Sequence, residues 1–299
     1  MAAMAEDRAQ PLPAQRPSAQ APNAQAGFGA KRLSLVLITW NQKAVIKRCL
    51  DSLKACLDLT QDEIIVIDNG SIDGTPEMIR SEYPEVLYRR LERNFGVAPA
   101  LNRGILVSSG AYVMTLDNDT IVNIPNLAEE IQAIFARYPR FGIFGFSLKN
   151  PDGTTQKSAR RFPTLIHPLA ARVPGFAALP YMQQMLDTHF MEDVDFETVT
   201  EMMDVDYVLG ANQVFRREVF ADVGGYDDAI FYGPEDFEIC FRARQVGWSV
   251  GWFPKDSIMH DYQRMTRKFS MVTLKFIFAY FYVFLKHRML WKFKTTTPA

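Results

Sequence analysis

The chain carries two aspartates, one residue apart, directly after an apolar run. The stretch "GAYVMTLDNDTIVNIP" holds the run Tyr112–Leu116 and then Asp117, Asn118 and Asp119. The run has the length and character of a buried strand, so the two carboxylates are expected where that strand reaches the surface. One interpretation is a turn or helix cap, which aspartate and asparagine favour. The other is a divalent cation site, because Mg²⁺ binds through one or two carboxylates together with substrate phosphates.

A second group of acids lies in "GPEDFEIC", which contains Glu235, Asp236 and Glu238. The pattern predicts a helix beginning near Pro234, and an acidic first turn is common because the helix dipole favours it. The same dipole would keep a carboxylate ionised, as a general base requires. His260 stands in "DSIMH", and a lone histidine is more often a structural residue than a ligand. These residues therefore have both a structural and a chemical interpretation.

Four apolar runs are expected to position these groups. They cover residues 33–39, 63–69, 86–91 and 111–116, and amphipathic stretches separate them. Asn41 is predicted to cap the first helix. The buried face of that helix is predicted to hold Val45, Cys49, Leu53, Cys56 and Leu57. Because near-continuous apolar strands alternate with helices, the pattern predicts an α/β fold with a parallel sheet covered on both faces.

Polar residues follow all four strands of this predicted sheet. They are Thr39–Asn41, Asp68–Ser71, Arg93–Gly96 and Asp117–Asp119. Ligands of open α/β sheets bind outside the carboxyl ends of the strands, so these residues are expected to meet at one edge. Neither a GxGxxG nor a GxxxxGK[ST] loop occurs among them. The sheet is therefore expected to bind a nucleotide without being a dinucleotide-binding Rossmann domain or a P-loop NTPase.

Composition and charge narrow the function classes. The 299 residues are 48% hydrophobic and carry a formal net charge of −1, so no overall basic field draws the protein to nucleic acid. Residues 1–30 are rich in Ala, Pro and Gln and are predicted to be disordered. They lack the apolar core of a signal peptide, and the three cysteines indicate core thiols rather than disulfides. We therefore expect a cytoplasmic chain.

The regular alternation of strands and helices ends after residue 120, but the composition shows no linker-like shift there. We predict one domain over 31–262, with a nucleotide half over 31–120 and an acceptor half over 121–262. Residues 165–203 show no regular pattern. A final strand is predicted around Trp248–Phe253, before the "KDSIMH" segment.

Seven motifs together resemble a known family. They are "VLITWNQ", "IIVIDNGSIDGT", "RNFGVAPALNRGI", "LDNDT", "GANQVFRREVF", "GGYDDAIFYGPEDFEICFRARQVGW" and "IMH", in this order over about residues 32–290. The combination resembles the inverting glycosyltransferases of family 2 with the GT-A fold, most closely their rhamnosyltransferase-like branch. The resemblance implies a Rossmann-like, mostly parallel sheet flanked by helices, and metal-dependent transfer of a sugar from a nucleotide sugar.

The resemblance also assigns roles to the acids and the histidine. Asp119 is implied as a direct metal ligand, Asp117 as a ligand of the metal or the ribose, and His260 as a further metal ligand. The ion would be Mn²⁺ or Mg²⁺, and an imidazole ligand favours Mn²⁺. Asp236 is implied as the general base, and Glu235 as the residue that orients the acceptor or supports the base.

Donor binding is implied mainly for residues of the first half. Asp68 matches the aspartate that hydrogen-bonds a pyrimidine N–H, although the second acid often found beside it is Asn69 in this chain. The other donor-binding residues implied by the match are Thr39, Asn41, Asn94, Gly96, Asn102, Asn118 and Gly210. Turn and cap roles stay an open alternative for Asn94, Gly96 and Asn102, because Asn and Gly favour such positions.

Three charged residues of the acceptor half are expected to be solvated. Glu238 is predicted to lie on the surface. Arg160 and Arg161 are predicted to form a solvated basic turn, and contact with an anionic acceptor is the alternative.

Residues 263–299 are expected to form a helical tail of aromatic and basic character. Between Lys275 and Lys286 lie ten uncharged residues, six of them aromatic. Ten helical residues span about 15 Å, half of a bilayer core, so the segment does not cross a membrane. A helix on an anionic membrane surface is one interpretation, and a core-packing or dimerising helix is the other.

Together these features predict a glycosyltransferase of the hexosyltransferase class in cell-surface polysaccharide synthesis. The donor would be dTDP-L-rhamnose or a UDP-hexose, and the acceptor a saccharide or a polyprenyl-diphosphate-linked saccharide. The protein would be cytoplasmic, or peripheral on the inner face of the plasma membrane. A sugar nucleotidyltransferase is an alternative, but it would not need the Glu-Asp and Met-His motifs. A non-catalytic carbohydrate-binding or scaffold protein on the same fold is a further alternative, and the full set of acids argues against it.

Overall fold

The computed structural model describes residues 30–167, 175, 178–261 and 271–289. The predicted disordered segment lies outside these residues except for residue 30, and so do residue 262 and residues 263–270 and 290–299 of the predicted tail. The strands are β1 (Lys31–Thr39), β2 (Glu63–Asp68), β3 (Leu87–Arg90), β4 (Gly110–Leu116), β5 (Thr120–Val122), β6 (Phe141–Lys149), β7 (Thr155–Gln156), β8 (Ala159–Arg160), β9 (Met203–Asp204), β10 (Tyr207–Val208), β11 (Asn212–Arg216) and β12 (Ser249–His260). The helices are α1 (Lys43–Cys56), α2 (Thr75–Glu82), α3 (Val97–Val107), α4 (Leu127–Arg137), α5 (Pro180–Phe190), α6 (Arg217–Val223), α7 (Glu235–Gln245) and α8 (Met271–Lys286).

One mixed sheet forms the centre of the described fold, and its strand order is β3-β2-β1-β4-β11-β6-β12-β5. The first four strands of this order run parallel, as predicted from their apolar runs. β11 is inserted antiparallel between β4 and β6, and β5 lies antiparallel to β12. A separate two-stranded pair joins β8 and β10. The expected mostly parallel α/β architecture is confirmed, with antiparallel strands added by the second half of the chain.

The side chains of the central strands alternate between two apolar cores. Leu35 and Leu37 of β1 pack in one core, whereas Val36 between them packs in the other. Helices α1, α2 and α4 contribute to the first core, and α3, α6, α7 and α8 to the second. Because successive strand residues point to opposite faces, a strand buried on both faces must be apolar throughout. This explains why β1, β2 and β4 could be predicted from the sequence.

The strand register brings the predicted site residues to one edge. Thr39 at the end of β1 pairs with Asp68 at the end of β2. Leu116 at the end of β4 pairs with Leu37 of β1, so the Asp-Asn-Asp stretch begins near the same edge. His260 at the end of β12 pairs with Thr120 of β5.

Three local predictions were wrong. Asn41 is not a helix cap: it has a positive φ of 52°, α1 begins at Lys43, and its N-cap is Gln42. The buried face of α1 holds Ile46, Cys49, Leu50, Leu53 and Cys56. Val45 and Leu57, predicted on that face, are only partly buried. The region predicted to be irregular contains α5, although residues 168–174 and 176–177 of it lie outside the described part.

A further correction concerns β12, which is longer than its predicted range and ends at His260. The strand continues beyond Pro254 because its pairing with β6 shifts register between Phe253 and Ser257. A bulge of this kind accommodates a proline, which has no N–H to donate to the ladder. His260 is therefore fixed by the main sheet itself.

The aromatic helix α8 packs against the second core. Ala279, Tyr280, Val283 and Phe284 are buried there. Cys49, Cys56 and Cys240 are buried free thiols, so the prediction of core cysteines is confirmed. Among the described helices, none combines the length and the apolar character needed to cross a membrane.

Candidate active site

Asp117, Asp119 and His260 meet at the carboxyl edge of the sheet. His260 Nε2 lies 3.3 Å from Asp119 Oδ1 and 4.0 Å from Asp117 Oδ2. One potential ligand atom from each residue falls within 4.8 Å of the others. The turn between β4 and β5 is held by Thr120, whose hydroxyl donates to the Asp117 carbonyl at 2.7 Å. The backbone N–H of Asp261 donates to the Asp119 carbonyl at 3.0 Å, which ties β12 to this turn.

The electrostatics of this cluster fit a cation. Loss of hydration in the cleft, and then the neighbouring Asp119, raise the pKa of Asp117 to about 6. Burial alone would lower the pKa of His260, but its hydrogen bond with Asp119 and the charges of both acids raise that pKa above the ordinary value. Two carboxylates and one imidazole are a donor set that a divalent transition metal such as Mn²⁺ accepts. The three residues therefore form a candidate metal site.

Gln156 fixes the orientation of His260, a role that the sequence analysis did not predict. Gln156 Oε1 lies 2.9 Å from His260 Nδ1. Its Nε2 donates to the His260 carbonyl at 2.8 Å and to Asn150 Oδ1 at 2.7 Å. Two acceptors around Nε2 identify it as the amide NH₂, so Oε1 must accept from an Nδ1–H. The imidazole therefore directs its Nε2 towards the two acids. Gln156 has the position of an outer hydrogen-bond partner of a metal-bound histidine.

A turn motif was the available signal for Gln156. The "NPDG" turn at 150–153 predicts the β6–β7 hairpin, and Leu148 of β6 pairs with Gln156 of β7. The hairpin could therefore be predicted. That its second strand would reach His260, over a hundred residues later, depends on the β6–β12 pairing, which is not local.

The donor-side residues form a connected hydrogen-bond network. Asp68 is fully buried, and its two oxygens accept from the Ser71 N–H at 2.7 Å and the Tyr88 hydroxyl at 2.5 Å. Asn118 Nδ2 donates to Thr39 Oγ1 at 3.1 Å, linking the ends of β4 and β1. These contacts bring Asp68, Thr39 and Asn118 to one region, and their donor-binding role stays a prediction.

Asn41 also lies at this edge, where its side chain closes a loop. Its Oδ1 accepts from the Ile72 N–H at 2.8 Å, and its own N–H donates to Ser71 Oγ at 2.8 Å. The positive φ suits an asparagine, which visits the left-handed region more readily than most residues. Asn41 therefore connects the loops that follow β1 and β2.

The segment before α3 is held against the acceptor half of the chain. Gly96 has a φ of +97°, and a Cβ there would lie 2.3 Å from the Phe231 carbonyl oxygen. Asn69 Nδ2 donates to the Gly96 carbonyl at 3.0 Å, and Asn94 Oδ1 accepts from the Gly96 N–H at 2.9 Å. The close approach that requires glycine is thus made by the chain's own backbone.

Asn102 serves the same junction between the two halves. Its Nδ2 donates to the Tyr226 carbonyl at 2.8 Å and to Asp228 Oδ1 at 2.6 Å, and its Oδ1 accepts from the Tyr226 N–H at 2.9 Å. These bonds use the donors and the acceptor of the amide for the loop before α7. Donor binding by Asn94, Gly96 and Asn102 stays a prediction beside these structural contacts.

Glu235 and Asp236 begin α7. Asp236 Oδ1 accepts from the Phe237 N–H at 2.7 Å, and its Oδ2 accepts from the Gly210 N–H at 3.3 Å. Glu235 Oε2 accepts from the Gly233 N–H at 2.7 Å. Gly210, predicted to bind the donor, therefore contacts the predicted base directly. The structure brings Asp236, Glu235 and Gly210 together.

Burial outweighs the helix dipole at Asp236. Burial raises the pKa of Asp236 to about 6, although backbone N–H groups of Phe237 and Gly210 act to lower it. Burial, and then the charge of Asp236, raise the pKa of Glu235 well above its ordinary value. The charge of Asp117 contributes to both shifts, so the two acidic pairs act on each other across one cleft. A carboxylate with a pKa of about 6 is well matched to general-base work near neutral pH.

Glu238 is not a surface residue, and that prediction was wrong. Its side chain is fully buried and accepts hydrogen bonds from Arg242 Nε at 2.9 Å and from Arg242 Nη2 at 2.7 Å. It also lies 2.9 Å from His287 Nε2, just beyond α8. Burial alone would raise the pKa of Glu238, but these partners hold it below its ordinary value. The residue was misassigned because its second partner lies far away in the sequence.

The basic pair does not form a solvated turn. Arg160 lies in β8, and Arg161 directly follows it. Arg161 is 35% exposed and lies 4.0 Å from Asp206 Oδ1. Arg160 is partly buried, and loss of hydration lowers its pKa while the charge of Asp236 opposes that shift. The structure thus separates two adjacent arginines into different environments.

Sequence comparisons identify related proteins. Residues 34–224 match the family model described as "Glycosyl transferase family 2". An N-acetylglucosaminyl-diphospho-decaprenol L-rhamnosyltransferase of Mycobacterium tuberculosis is 28% identical over 246 residues, which cover 76% of this chain and 75% of that protein.

Two solved structures are similar at lower sequence identity. GalNAc-T7 with UDP, GalNAc and Mn²⁺ has a TM-score of 0.60 at 20% identity, over 86% of this chain and 48% of that one. The mannosyltransferase PcManGT from Pyrobaculum calidifontis, in complex with GDP-Man and Mn²⁺, has a TM-score of 0.53 at 18% identity. That match covers 82% of this chain and 61% of the other. The predicted GT-A fold is confirmed.

Proposed function

The chain belongs to glycosyl transferase family 2 and is a glycosyltransferase, and we propose that it carries out a metal-dependent, inverting sugar transfer from a nucleotide sugar. The observation that carries this proposal is the pairing of two acidic centres in one cleft. One centre, Asp117 and Asp119 with His260, has the donor set of a divalent cation site. The other contains Asp236, whose pKa is raised to about 6 by burial.

Asp119, Asp117 and His260 would hold the metal, which supplies positive charge to a diphosphate when bound. Mn²⁺ is the proposed ion and Mg²⁺ the alternative, because the donor set includes an imidazole. Asp68, Thr39, Asn41 and Asn118 are proposed to surround the nucleotide. Asn94, Gly96, Asn102 and Gly210 are proposed to line the donor more distantly.

Asp236 is proposed as the general base. It would take the proton from the acceptor hydroxyl as the bond from that oxygen to the anomeric carbon forms. The bond from the anomeric carbon to the diphosphate oxygen breaks on the opposite side, and the nucleoside diphosphate leaves. Glu235, whose raised pKa favours its protonated form, would hydrogen-bond the acceptor or support Asp236. Attack opposite the leaving group inverts the anomeric configuration.

We propose dTDP-L-rhamnose as the donor, with a UDP-hexose as the second candidate. The support is the similarity to the mycobacterial rhamnosyltransferase, whose match spans three quarters of each chain. That relative's name describes a sugar acceptor linked through a diphosphate to a polyprenol. A lipid-linked saccharide of this class is therefore the proposed acceptor, within cell-surface polysaccharide synthesis.

The exposed apolar side chains on the outer face of α8 are consistent with a lipid-linked acceptor. Phe278, Phe281, Tyr282 and Leu285 follow the spacing of one helical face, and Phe278 and Leu285 are 70% and 64% exposed. Lys275 and Lys286 lie near the two ends of this apolar stripe. We propose that the stripe rests on the inner face of the plasma membrane, as interfacial helices with basic flanks do.

The experiment that tests this function measures thermal stability with a panel of nucleotide sugars, with and without Mn²⁺, followed by detection of the released nucleoside diphosphate. A donor at about 100 times its Kd should stabilise the fold by roughly 2.7 kcal/mol. Mn²⁺-dependent stabilisation by one donor, and its turnover with a saccharide acceptor, are expected. A folded protein that binds no nucleotide sugar would support the scaffold alternative. Formation of a nucleotide sugar from a sugar phosphate and a nucleoside triphosphate would support the nucleotidyltransferase.

A further inference from the structure

Arg160 is connected to the proposed base by a short run of backbone. Arg160 in β8 pairs with Tyr207 in β10. Two residues beyond β10 in the chain, the Gly210 N–H donates to Asp236 Oδ2 at 3.3 Å. The N–H of Leu209, between them, donates to the Ser158 carbonyl at 3.0 Å. The β8–β10 pair therefore places Arg160 near the backbone that contacts the carboxylate of Asp236.

The surroundings of this guanidinium are aromatic rather than acidic. Arg160 Cζ lies 4.9 Å from the centre of the Phe190 ring, and its Nη1 donates to the Ala159 carbonyl at 2.8 Å. Within the described residues, no carboxylate oxygen lies within 4.0 Å of it, whereas Arg242 and Arg244 each have one at 2.7 and 2.8 Å. A partly buried cation without a close counter-ion costs stability, and an anionic ligand would offset that cost.

The charge of the cleft creates a need for such a cation. The charges of Asp117 and Asp236 interact, and ionised acids of the two pairs would repel an acceptor that carries a diphosphate. The metal cluster is suited to the diphosphate of the donor. Arg160 interacts electrostatically with the acids Asp236 and Glu192. It also interacts with Tyr280 on the buried face of α8, so it lies on the same side as the base. An acceptor bound beside the base would bring its diphosphate to this side.

We propose that Arg160 binds a phosphate of the acceptor, so that the enzyme selects a diphosphate-linked saccharide over a neutral one. This assignment rests on the proposed glycosyltransferase reaction and names the acceptor class for it. Arginine suits the task because its planar guanidinium can donate two parallel hydrogen bonds to a phosphate. The donor also carries a diphosphate, so the test must separate the two sources of phosphate.

The test compares two acceptors with wild type, Arg160→Met and Arg160→Lys. One acceptor is N-acetylglucosamine joined through a diphosphate to a short alkyl chain, and the other is the neutral alkyl glycoside of the same sugar. Arg160→Met is expected to raise KM for the diphosphate acceptor by about 10- to 100-fold, the size of one lost charge-assisted contact, with less than about threefold change for the neutral glycoside. Arg160→Lys should recover part of the loss.

Arg161→Met is the matched control, because Arg161 is adjacent, partly exposed and next to Asp206. It should change neither KM by more than about threefold. The stabilisation of each variant by donor and Mn²⁺ reports whether it is folded, and the KM for the donor should match that of wild type.

Three results would overturn the assignment. An equal loss with both acceptors, together with an acid limb of the pH profile shifted upward, would mean that Arg160 only tunes Asp236. A raised KM for the donor would assign Arg160 to the donor diphosphate. An unchanged KM for the diphosphate acceptor in a folded Arg160→Met variant would show that Arg160 does not contact the acceptor phosphate. If wild type used neither acceptor with any donor, the proposed function itself would fail, and the inference with it.

Discussion

The cleft contains two pairs of neighbouring acids that differ in what holds them. Asp117 and Asp119 flank a turn between two strands, and the imidazole of His260 lies 4.0 and 3.3 Å from their carboxylates. Glu235 and Asp236 begin a helix, and backbone N–H groups contact their oxygens. The first pair can share a cation because its oxygens converge on one point with a third ligand. The second pair is fixed separately by the backbone.

This difference explains how the same residue type can perform two tasks. A carboxylate that shares a bound cation must stay ionised, and the cation favours that state. A carboxylate that takes a proton needs a pKa near the working pH, and burial raises the pKa of Asp236 to about 6. The proposed metal binding and the proposed proton transfer thus fall on different pairs, and each substitution should mainly affect one of them.

The largest expected effect comes from Asp236→Asn. Loss of a general base lowers a rate by roughly 10²- to 10⁴-fold, so kcat should fall by that factor. Donor binding with Mn²⁺ should be retained, because the residue belongs to the other acidic pair. Glu218→Gln is the matched control, since Glu218 is an exposed acid in the first turn of α6. Equal loss of donor binding in Asp236→Asn would show that the two pairs are not separable.

Asp119→Ala should break the other half of the comparison. The roughly 2.7 kcal/mol of stabilisation expected from a donor at 100 times its Kd in the presence of Mn²⁺ should disappear. Differential scanning fluorimetry with and without Mn²⁺ measures this directly. The matched control is Asp261→Asn, because Asp261 adjoins His260, its carboxylate lies 3.4 Å from Arg48, and it is not one of the three candidate metal ligands. Retained Mn²⁺-dependent stabilisation in Asp119→Ala would contradict the proposed metal site.

Gln156→Leu sharpens the comparison, because it changes the surroundings of the proposed metal site without replacing one of its ligands. Loss of an outer partner of a metal-bound histidine typically lowers metal affinity by 10- to 100-fold. Gln156→Glu keeps an acceptor for His260 Nδ1 and should lose less. Mn²⁺ affinity, measured by electron paramagnetic resonance of the free ion, is the readout.

Gln183→Leu is the control for this variant, since Gln183 is an exposed glutamine of α5 that donates to Asp187. Wild-type Mn²⁺ affinity in Gln156→Leu would show that the sheet alone orients His260.

Local pattern predicted the first half of the fold well. The strands β1 to β4 are apolar runs whose two faces are both buried, and this requirement is visible in each run by itself. Asp117, Asp119 and Asp236 stood out because their types and motifs do not depend on distant partners. The approach of His260 to the two acids also agrees with the motif-based expectation.

The failures have a common physical cause, which is contact between distant parts of the chain. Glu238 looked solvated because its spacing in α7 gives no hint of His287, which follows α8. β12 was predicted to end near Phe253. Its continuation beyond Pro254 requires a bulge, and this bulge depends on the pairing with β6. Arg160 looked like part of a basic turn because its strand pair with β10 is made by residues nearly fifty positions later.

The smallest predicted effect is the pH dependence of kcat/KM, which tests whether the two pairs titrate separately. Asp236 must be ionised to accept a proton, and its pKa is raised from 3.8 to about 6. At saturating Mn²⁺, kcat/KM should therefore fall as pH decreases through 6, and should be about tenfold lower at pH 5 than at pH 7. The residual activity of Asp236→Asn should lack this acid limb.

Unfolding would not produce the same decline. A carboxyl whose pKa is higher in the folded state binds its proton more tightly there, so protonation of Asp236 below pH 6 favours the folded protein. Glu238 has the opposite sign: its folded pKa is lowered, and the stability it contributes is lost only below its ordinary pKa of 4.5. Circular dichroism at pH 5 should show a folded enzyme. An acid limb that moves with Mn²⁺ concentration would instead assign the titration to Asp117, and the proposed separation of roles between the two pairs would be lost.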